Sequence, residues 1–536
     1  MLDLILGGGT IVDGSAAPAR RADIGIEGDR ITAIGDLSSA PGERLDCRGL
    51  VVSPGFIDMH SHTDFSILEV PDADSKVRQG ITTEVVGNCG FSTFPIIEER
   101  RAQFSAFAAF LNPNMRLDWS SGSEFFARVE SKGTAVNLAQ LVGHGTVRLA
   151  VLGMDPRPPT AHEIDQMKSH VRQAFEAGVW GYSTGLIYAP CSYAQTEEVA
   201  AVAEAARPFD GIYFTHMRDE GDHLLEAIDE ALTIGRSAGL RVQLSHFKSA
   251  GARNWGRAGA ALQKVEAARA AGQDVMFDQY PYLAGSTTLT ALLPPTSLQG
   301  GIAALLENLR DADFRARARK GIDEGVPGWW NPVAGSGWDS VTIAGAATTP
   351  EYEGQTLSDI GTQLGGDGFD AMSELLLAND GAVSIVIFMM SEDDLQTGLR
   401  HPLVMVGSDG FATSPDAGIG GGRPHPRTYG CFPRVLGTYV RELGVLSLDQ
   451  AVYKMSTMQA RRLGLTDRGE VREGAIADLV VFDAETVAER STYADPHQYP
   501  AGIPHVLVAG RPVVQSGRTT GARPGKVLRR DAVPTR

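Results

Sequence analysis

Two histidines stand two residues apart where an apolar segment ends. The chain reads GFIDMHSHTD over residues 55–64. In an extended strand, residues two apart point to the same side, so His60 and His62 can present two imidazole nitrogens to one divalent metal ion. Taken alone, such a pair is weak evidence for a metal site, and it needs support from the rest of the chain.

That support comes from the ends of other apolar segments. Cys89, His216, His246 and Asp409 each follow or close a predicted strand. Imidazole, thiolate and carboxylate groups together suit zinc. Parallel strands that end at the same edge would bring these groups onto one rim. The set therefore predicts a zinc centre.

The elements that must position these residues alternate short apolar segments with helical stretches, as in units built around a parallel sheet. Eight segments are predicted as strands: 51–58, 82–86, 136–142, 179–182, 212–215, 242–245, 275–279 and 403–407. Eight parallel strands favour a (β/α)8 barrel of the TIM type, whose chemistry collects at the carboxyl ends of the strands. A ninth apolar segment, 382–390, is predicted as an extra strand between the seventh and the eighth.

The two ends of the chain read as short strands joined by glycine and charged turns. Neither end is long enough to bury a core by itself, so we expect residues 1–54 and 466–536 to pair into one small β-sandwich. Residues 55–465 then form the barrel. Residues 290–375 are too many for an ordinary strand-to-helix connection, which predicts an insertion in the barrel.

Composition excludes several classes of protein. With 48 Lys and Arg against 65 Asp and Glu, the net charge of −17 repels nucleic acid. The mean hydropathy of −0.09 argues against a membrane protein. The four cysteines are too widely spaced for a disulfide framework, and the amino terminus lacks the features of an export signal, so we expect a cytoplasmic protein.

Seven short motifs carry the residues of the predicted site. They are GFIDMHSHTD (55–64), VGNCGFS (86–92), YSTGLIYAP (182–190), LSHFK (244–248), YPYLAGST (280–287), GSDG (407–410) and PHPRTYG (424–430). With these motifs the chain resembles the amidohydrolase superfamily over nearly its whole length. Within that superfamily it resembles the N-acyl-D-amino-acid deacylases, also called D-aminoacylases.

The resemblance implies six metal ligands in two positions. A tightly held zinc would take Cys89, His216 and His246, and a second position, weakly or partly occupied, would take His60, His62 and Asp409. Relatives that open cyclic amides bridge two metals with a carbamylated lysine at strand four. Residues 179–185 of this chain contain no lysine, so the cysteine at strand two matches the deacylase pattern.

Hydrolysis of an amide needs a nucleophile, a base for the attacking water and an acid for the leaving amine. Zinc lowers the pKa of a bound water toward about 7. We expect Asp409 to accept the proton of the water and to return it to the leaving nitrogen. The expected activity is therefore the zinc-dependent hydrolysis of N-acyl-D-amino acids, a small-molecule substrate class.

The resemblance also implies how the substrate is held. Its carboxylate would bind to Lys248, Tyr280, Ser286 and Arg427, and Tyr188 would line the pocket. The connection 411–422, before Arg427, is longer than the usual connection in the family. Residues 287–295 contain no cation that could pair with a second carboxylate, which predicts neutral or hydrophobic D-amino acids rather than D-Glu or D-Asp.

Three questions stay open in the sequence. His144, at the end of the third strand, either contacts the substrate or the attacking water, or is a structural histidine. A cyclic-amide or dipeptide hydrolase would use nearly the same metal site. A non-catalytic binding protein on this barrel would be expected to have lost ligands, whereas all six are present. The sequence does not determine the oligomeric state.

Overall fold

Four β-sheets organise the computed structural model, which describes residues 1–112, 114–415 and 422–530. One sheet has eight strands, two sheets are built from the ends of the chain, and a three-stranded sheet lies between the seventh and eighth strands of the first. Part of the long connection at 411–422 and the last part of the predicted carboxyl-terminal sandwich segment lie outside the described residues, at 416–421 and 531–536.

The eight-stranded sheet is parallel throughout, and its strands follow one another in chain order. Barrel strands one to eight are Phe56–Asp58, Ile81–Val86, Asn137–Gly143, Gly181–Gly185, Ile212–His216, Arg241–Leu244, Val275–Gln279 and Val404–Val406. The sheet closes just beyond its first and last strands, where the amide of Asp409 donates to the carbonyl of His60 at 2.8 Å. The predicted (β/α)8 barrel is confirmed.

Helices connect the barrel strands and cover the outside of the sheet. The α-helices are Asp74–Val77, Arg101–Ala108, Gly122–Lys132, His144–Leu152, Ala161–Ala177, Thr196–Ala203, Leu224–Ala238, Ala258–Ala270, Ile302–Asn308, Ala312–Glu324, Pro332–Ser336, Leu357–Leu364, Gly368–Ala378, Glu392–Arg400, Arg427–Arg434, Leu448–Met455 and Thr457–Leu463, and Val435–Glu442 is a π-helix. Short 3-10 helices are Thr63–Phe65, Glu98–Arg100, Cys191–Tyr193, Glu204–Phe209, Ala252–Asn254, Leu289–Leu292, Pro295–Leu298, Trp338–Ser340 and Pro350–Tyr352. None of the helices in the described ranges has the length and apolar character needed to cross a bilayer.

The two ends of the chain meet in a β-sandwich, as predicted. One sheet has the strand order Arg30–Gly35, Asp23–Glu27, Leu4–Gly7 and Glu43–Asp46. The other has the order Arg518–Thr519, Arg511–Gln515, His505–Val508, Leu479–Phe482, Val51–Pro54, Thr10–Ile11 and Arg20–Arg21. Val52 lies opposite Val481 across an antiparallel pair, and side chains from both ends of the chain share one apolar core between the sheets.

The predicted strand 51–58 is two strands in the structure. Val51–Pro54 belongs to the sandwich and Phe56–Asp58 to the barrel, with the break at Gly55. The amide of Gly55 donates to the carbonyl of Asp478 in the sandwich, whereas that of Phe56 donates to the carbonyl of Gly80 beside the barrel. An apolar segment has the same appearance in either sheet, so its periodicity could not show the change of partner.

A three-stranded antiparallel sheet follows barrel strand seven. Its order is Ala284–Thr288, Ser384–Phe388 and Val341–Gly345. The predicted extra strand at 382–390 corresponds to Ser384–Phe388, at the centre of this sheet. We call these three strands the roof sheet, because side chains from all three face the cavity described below.

Candidate metal centre

The six predicted metal ligands lie at the carboxyl ends of five barrel strands. His60 and His62 follow strand one, and Cys89 follows strand two. His216 is the last residue of strand five, and His246 and Asp409 lie just beyond strands six and eight. Because parallel strands end at the same edge, the barrel brings residues from distant parts of the sequence together at its mouth.

Three of these residues have a left-handed backbone. The φ angles are +55° at Cys89, +35° at His246 and +52° at Asp409. This conformation is uncommon for residues other than glycine and costs on the order of 1–3 kcal/mol at each position. Such strain persists only where the surrounding structure imposes it, and it is concentrated in active sites. The three strands thus turn sharply just where a candidate ligand occurs.

The ligand atoms form two groups that share Cys89. One contains His60, His62, Cys89 and Asp409, and the other contains Cys89, His216 and His246, with all atoms of a group within 4.8 Å of one another. The Cys89 Sγ lies 3.2 Å from His60 Nε2 and 3.5 Å from His246 Nε2. His62 Nε2 lies 3.1 Å from Asp409 Oδ1. The sulfur stands between the two positions.

The second group fits a zinc ion. The His216 ring is buried; its Nε2 lies near the Glu220 carboxylate, but its Nδ1 makes no hydrogen bond within the described residues. Burial and the nearby carboxylate of Asp409 raise the pKa of the Cys89 thiol well above its usual value. A buried imidazole nitrogen without a partner and a buried sulfur are costly unless a cation binds them. Zn²⁺ takes this combination of imidazole and thiolate.

The predicted substrate-binding residues surround a cavity of about 290 Å³ that opens directly onto the metal ligands. Tyr188, Lys248, Tyr280, Ser286 and Arg427 all line it. The Tyr188 hydroxyl lies 2.8 Å from the hydroxyl of Thr287. The structure therefore brings all five residues together around one space, although they come from four segments of the chain.

Arg427 stands between the metal ligands and the roof sheet. Its Nη1 lies 2.8 Å from Asp409 Oδ2, and its Nη2 donates to the carbonyl of Ser286 at 3.2 Å. The guanidinium carbon lies 4.8 Å from the centre of the Tyr280 ring. Arg427 is buried, so its charge acts at short range with little screening by solvent.

Comparison with known proteins shows the family to which the chain belongs. The model of a family described as the amidohydrolase family matches residues 43–514. The chain belongs to the amidohydrolase family. A D-aminoacylase of Alcaligenes xylosoxydans xylosoxydans is 40% identical over 540 residues, covering 99% of this chain and 98% of the relative.

Two solved structures resemble this amidohydrolase over almost its full length. A D-aminoacylase structure, from a study of its binuclear metal centre, has a TM-score of 0.84 at 38% identity and covers 99% of this chain and 100% of its own. The N-acyl-D-glutamate deacylase of Bordetella bronchiseptica, complexed with zinc and a phosphonate inhibitor, has a TM-score of 0.83 at 37% identity, with 98% and 99% covered. Both relatives bind metal.

Two acidic residues of the amidohydrolase that the sequence analysis did not select lie directly behind the ligands. Glu220 Oε1 lies 3.0 Å from His246 Nδ1, and Oε2 lies 3.3 Å from His216 Nε2. Asp278 Oδ1 lies 3.2 Å from His60 Nδ1 and accepts the amide of His246 at 2.8 Å. Such partners orient metal-binding imidazoles.

The only sequence signals for these two residues are their places after or within barrel strands, which many acidic residues share. Glu220 also holds Lys248, whose Nζ lies 2.6 Å from Glu220 Oε1. Burial by itself would raise the pKa of Glu220, but the charges of His216 and Lys248 outweigh it and lower the pKa well below the usual value. Lys248 lines the cavity, and its charge is already paired.

His144 lies apart from the cavity. Its Nδ1 contacts the hydroxyl of Tyr182, and its Nε2 lies 3.6 Å from Glu198. The side chain is buried and is not among the residues that line the cavity. Of the two alternatives that the sequence left open, the structure therefore favours a structural histidine.

Proposed function

We propose that this amidohydrolase hydrolyses the amide bond of N-acyl-D-amino acids with the aid of zinc and releases a carboxylate and the free D-amino acid. One observation carries the proposal: the ligand groups that share Cys89 open onto the same cavity as Arg427, a cation suited to a substrate carboxylate. The similarity to a D-aminoacylase and to an N-acyl-D-glutamate deacylase supports the substrate class and its D configuration.

In this proposal Cys89, His216 and His246 hold one zinc ion tightly. His60, His62 and Asp409 form a second position that is weakly or partly occupied. When bound, zinc supplies a Lewis acid that activates water and polarises the amide carbonyl. The chain contributes the orientation of the ligands, through Glu220 and Asp278, and a cavity at whose base the ligand side chains are buried.

Asp409 is proposed to move the proton. Burial alone would raise its pKa, but the charges of Arg427 and His60 outweigh that effect and keep the pKa well below its usual value, so the carboxylate is ionised at neutral pH. It can accept a proton from the attacking water and return it to the nitrogen as the C–N bond breaks, since without that proton the nitrogen would have to leave as an amide anion, a very poor leaving group. Its contact with Arg427, the proposed partner of the substrate carboxylate, supports this role.

The substrate carboxylate is proposed to bind Arg427, with Lys248, Tyr280 and Ser286 beside it and Tyr188 lining the cavity. The planar guanidinium suits a carboxylate because two parallel hydrogen bonds can form. In the free site Arg427 contacts Asp409, so the substrate would share this cation rather than meet it unpaired.

The amino-acid side chain is proposed to be neutral. Among the described residues, Lys248 and Arg427 are the lysine and arginine side chains that line the cavity, and Lys248 is paired with Glu220. Glu353 also lines the cavity and would repel a second carboxylate, whereas Ile387 and Met389 supply apolar surface. Within the described part of the lining, a D-glutamate or D-aspartate side chain would meet no lysine or arginine that is not already paired.

The domain limits predicted from sequence complete the proposal. Residues 1–54 and 466–536 would stabilise the barrel from outside, and residues 55–465 would carry the chemistry. The insertion proposed at 290–375 is supported by its position within the segment that contains the roof sheet. We also place the enzyme in the cytoplasm, supported by its four free, buried cysteines, with no nucleic-acid or membrane partner.

The decisive experiment compares the D and L forms of N-acetyl-leucine, with and without a chelator. We expect hydrolysis of the D form, its loss with the chelator and its recovery with added zinc. Asp409→Asn should retain metal and lose at least 100-fold in turnover. Asp323→Asn is the matched control, because Asp323 is exposed on the helix Ala312–Glu324 and does not line the cavity.

Three results would contradict the proposal. Near-normal turnover of Asp409→Asn would remove Asp409 from the mechanism. Equal rates on the D and L forms would remove the stereochemical assignment. A clear preference for N-acetyl-D-glutamate over N-acetyl-D-leucine would overturn the neutral side chain.

A further inference from the structure

A second cavity, of about 220 Å³, adjoins the cavity of about 290 Å³ that opens onto the metal ligands. The two share a wall formed by Phe91, Phe110, Ile187, Tyr188 and Ala291. Beyond this wall the second cavity is lined by Thr288, at the end of a roof-sheet strand, and by residues of the helices Arg101–Ala108 and Ile302–Asn308. We call it the side cavity. The proposed hydrolysis uses none of the residues found only in its lining.

The lining of the side cavity is mostly apolar, and Gln103, Thr288 and Thr290 are its uncharged polar members. Phe107, Met154, Leu293 and Leu298 contribute to it, and no charged side chain of the described residues does. An uncharged chain would therefore enter it with a gain from burial, whereas a carboxylate or an ammonium group would lose its hydration without gaining a partner. The lining therefore favours a hydrocarbon chain over a charged group.

The side cavity begins next to the metal ligands. Phe91 is two residues from Cys89, and its ring stacks on Phe107 with centres 4.5 Å apart. The Tyr188 ring lies 5.2 Å from the Phe91 ring and 5.2 Å from the His216 ring. An aromatic surface thus leads from the ligands Cys89 and His216 into the side cavity.

Arg427 contacts Asp409 and does not line the side cavity, whereas the side cavity adjoins Cys89 and His216 through Phe91 and Tyr188. An N-acyl-amino acid whose carboxylate binds Arg427 has its amide carbonyl at the metal ligands. The group attached to the far side of that carbonyl is the acyl chain. It would point along the aromatic surface and away from Arg427.

We propose that the side cavity binds the acyl chain of the substrate, and that the enzyme acts best on D-amino acids carrying long, apolar acyl groups. This inference rests on the proposed function. The outer end of the side cavity is lined by the small, exposed residues Ala102, Ala106 and Ala303. A long chain can therefore continue between the two helices toward solvent.

The test measures kcat/KM for N-acetyl-, N-hexanoyl- and N-decanoyl-D-leucine. Each methylene that becomes fully buried is worth roughly fourfold in binding. Because burial in an open cavity is partial, we expect an increase of at least roughly tenfold from acetyl to hexanoyl. A parallel series of N-acetyl-D-alanine, N-acetyl-D-norvaline and N-acetyl-D-norleucine varies the amino-acid side chain instead.

Two variants on one exposed helix locate the effect. Ala106→Trp places a large ring in the side cavity. It should remove most of the increase in kcat/KM from the N-acetyl to the N-decanoyl substrate. Ser105→Trp adds the same ring at the neighbouring exposed position, which lines neither cavity, and should keep the full gain. Comparing ratios of kcat/KM within each variant cancels any loss of folded enzyme.

The outcomes separate this inference from the proposed function. If N-acetyl-D-leucine is hydrolysed but kcat/KM does not rise with the length of the acyl chain, the inference fails and the proposed function stands. If Ala106→Trp changes the side-chain series and leaves the acyl series intact, the cavity holds the amino-acid side chain, which overturns the inference. If no member of either series is hydrolysed, both fail.

Discussion

The most demanding prediction concerns Lys76, which lies fully buried beneath the metal centre. Its Nζ lies 2.9 Å from Asp58 Oδ2, 3.1 Å from Glu84 Oε1 and 2.8 Å from the hydroxyl of Ser408. Asp58 ends barrel strand one, Glu84 lies in strand two, and Ser408 follows strand eight. One ammonium group thus joins the two edges at which the barrel closes.

Lys76→Met keeps most of the unbranched side chain and removes its terminal ammonium group and its charge. Asp58 and Glu84 then face each other in a site closed to water. Removing one partner of a buried ion pair typically costs about 3–5 kcal/mol, because the remaining charge is buried without compensation. Here two carboxylates lose their cation, although Ser61, Thr63 and Ser408 still donate hydrogen bonds to them. We therefore expect a loss of about 3–5 kcal/mol in the free energy of unfolding.

The assay is urea unfolding followed by tryptophan fluorescence, with bound zinc measured on the folded fraction. Lys264→Met is the matched control, since Lys264 forms a 2.6 Å pair with Asp229 in which both side chains are partly exposed. Such a surface pair contributes about 1 kcal/mol or less. Zinc content should also fall in Lys76→Met, because Asp58 accepts the amides of His60 and Ser408 and so positions His60, a proposed ligand of the second metal position.

The double variant Lys76→Met/Glu84→Gln removes one of the two carboxylates that have lost their cation. It should regain part of the lost free energy of unfolding. A free energy of unfolding of Lys76→Met within about 1 kcal/mol of that of the unmodified protein would refute the stabilising role of Lys76. So would a Lys76→Met variant that is no less stable than Lys264→Met. A double variant less stable than Lys76→Met would show that charge repulsion is not the cause.

Two further predictions concern the surroundings of the ligands. Glu220→Gln removes the charge behind His216 and His246 and should weaken zinc binding by about 10- to 100-fold, measured by competition with a chromogenic chelator; unchanged affinity would contradict the orienting role. A Cβ at Gly185 would lie 2.1 Å from the carbonyl oxygen of Cys89, so Gly185→Ala should displace that ligand and lower zinc content. The control is Gly259→Ala, where a Cβ meets no described atom within 4 Å and zinc content should not change.

Much of the fold could be predicted because it depends on local patterns. The barrel strand Val275–Gln279 was predicted to the residue, and the other strands within a few residues, since alternating apolar segments and helices have a recognisable period. The error at Gly55 has a different cause. Val51–Pro54 and Phe56–Asp58 are equally apolar, and only their hydrogen-bond partners, which are distant in sequence, distinguish the sandwich from the barrel.

Some residues of the candidate site could be selected from the sequence, and others could not. His60, His62, Cys89, His216, His246 and Asp409 could be selected because metal ligands have characteristic side chains and strand ends are visible in the sequence. Glu220, Asp278 and Lys76 could not, since acidic and basic residues near strands are common and usually face solvent. Their burial and their partners follow from contacts across the barrel.

By itself, the sequence determined which chemical groups this protein holds at its strand ends, because residue type and strand period are local properties. Tertiary structure alone decided how those groups are combined. It set Cys89 between two ligand groups, bound Lys248 to Glu220, placed Lys76 where the barrel closes, and left an apolar side cavity beside Tyr188. These features depend on distances between residues far apart in the chain, and such distances exist only after the barrel has closed.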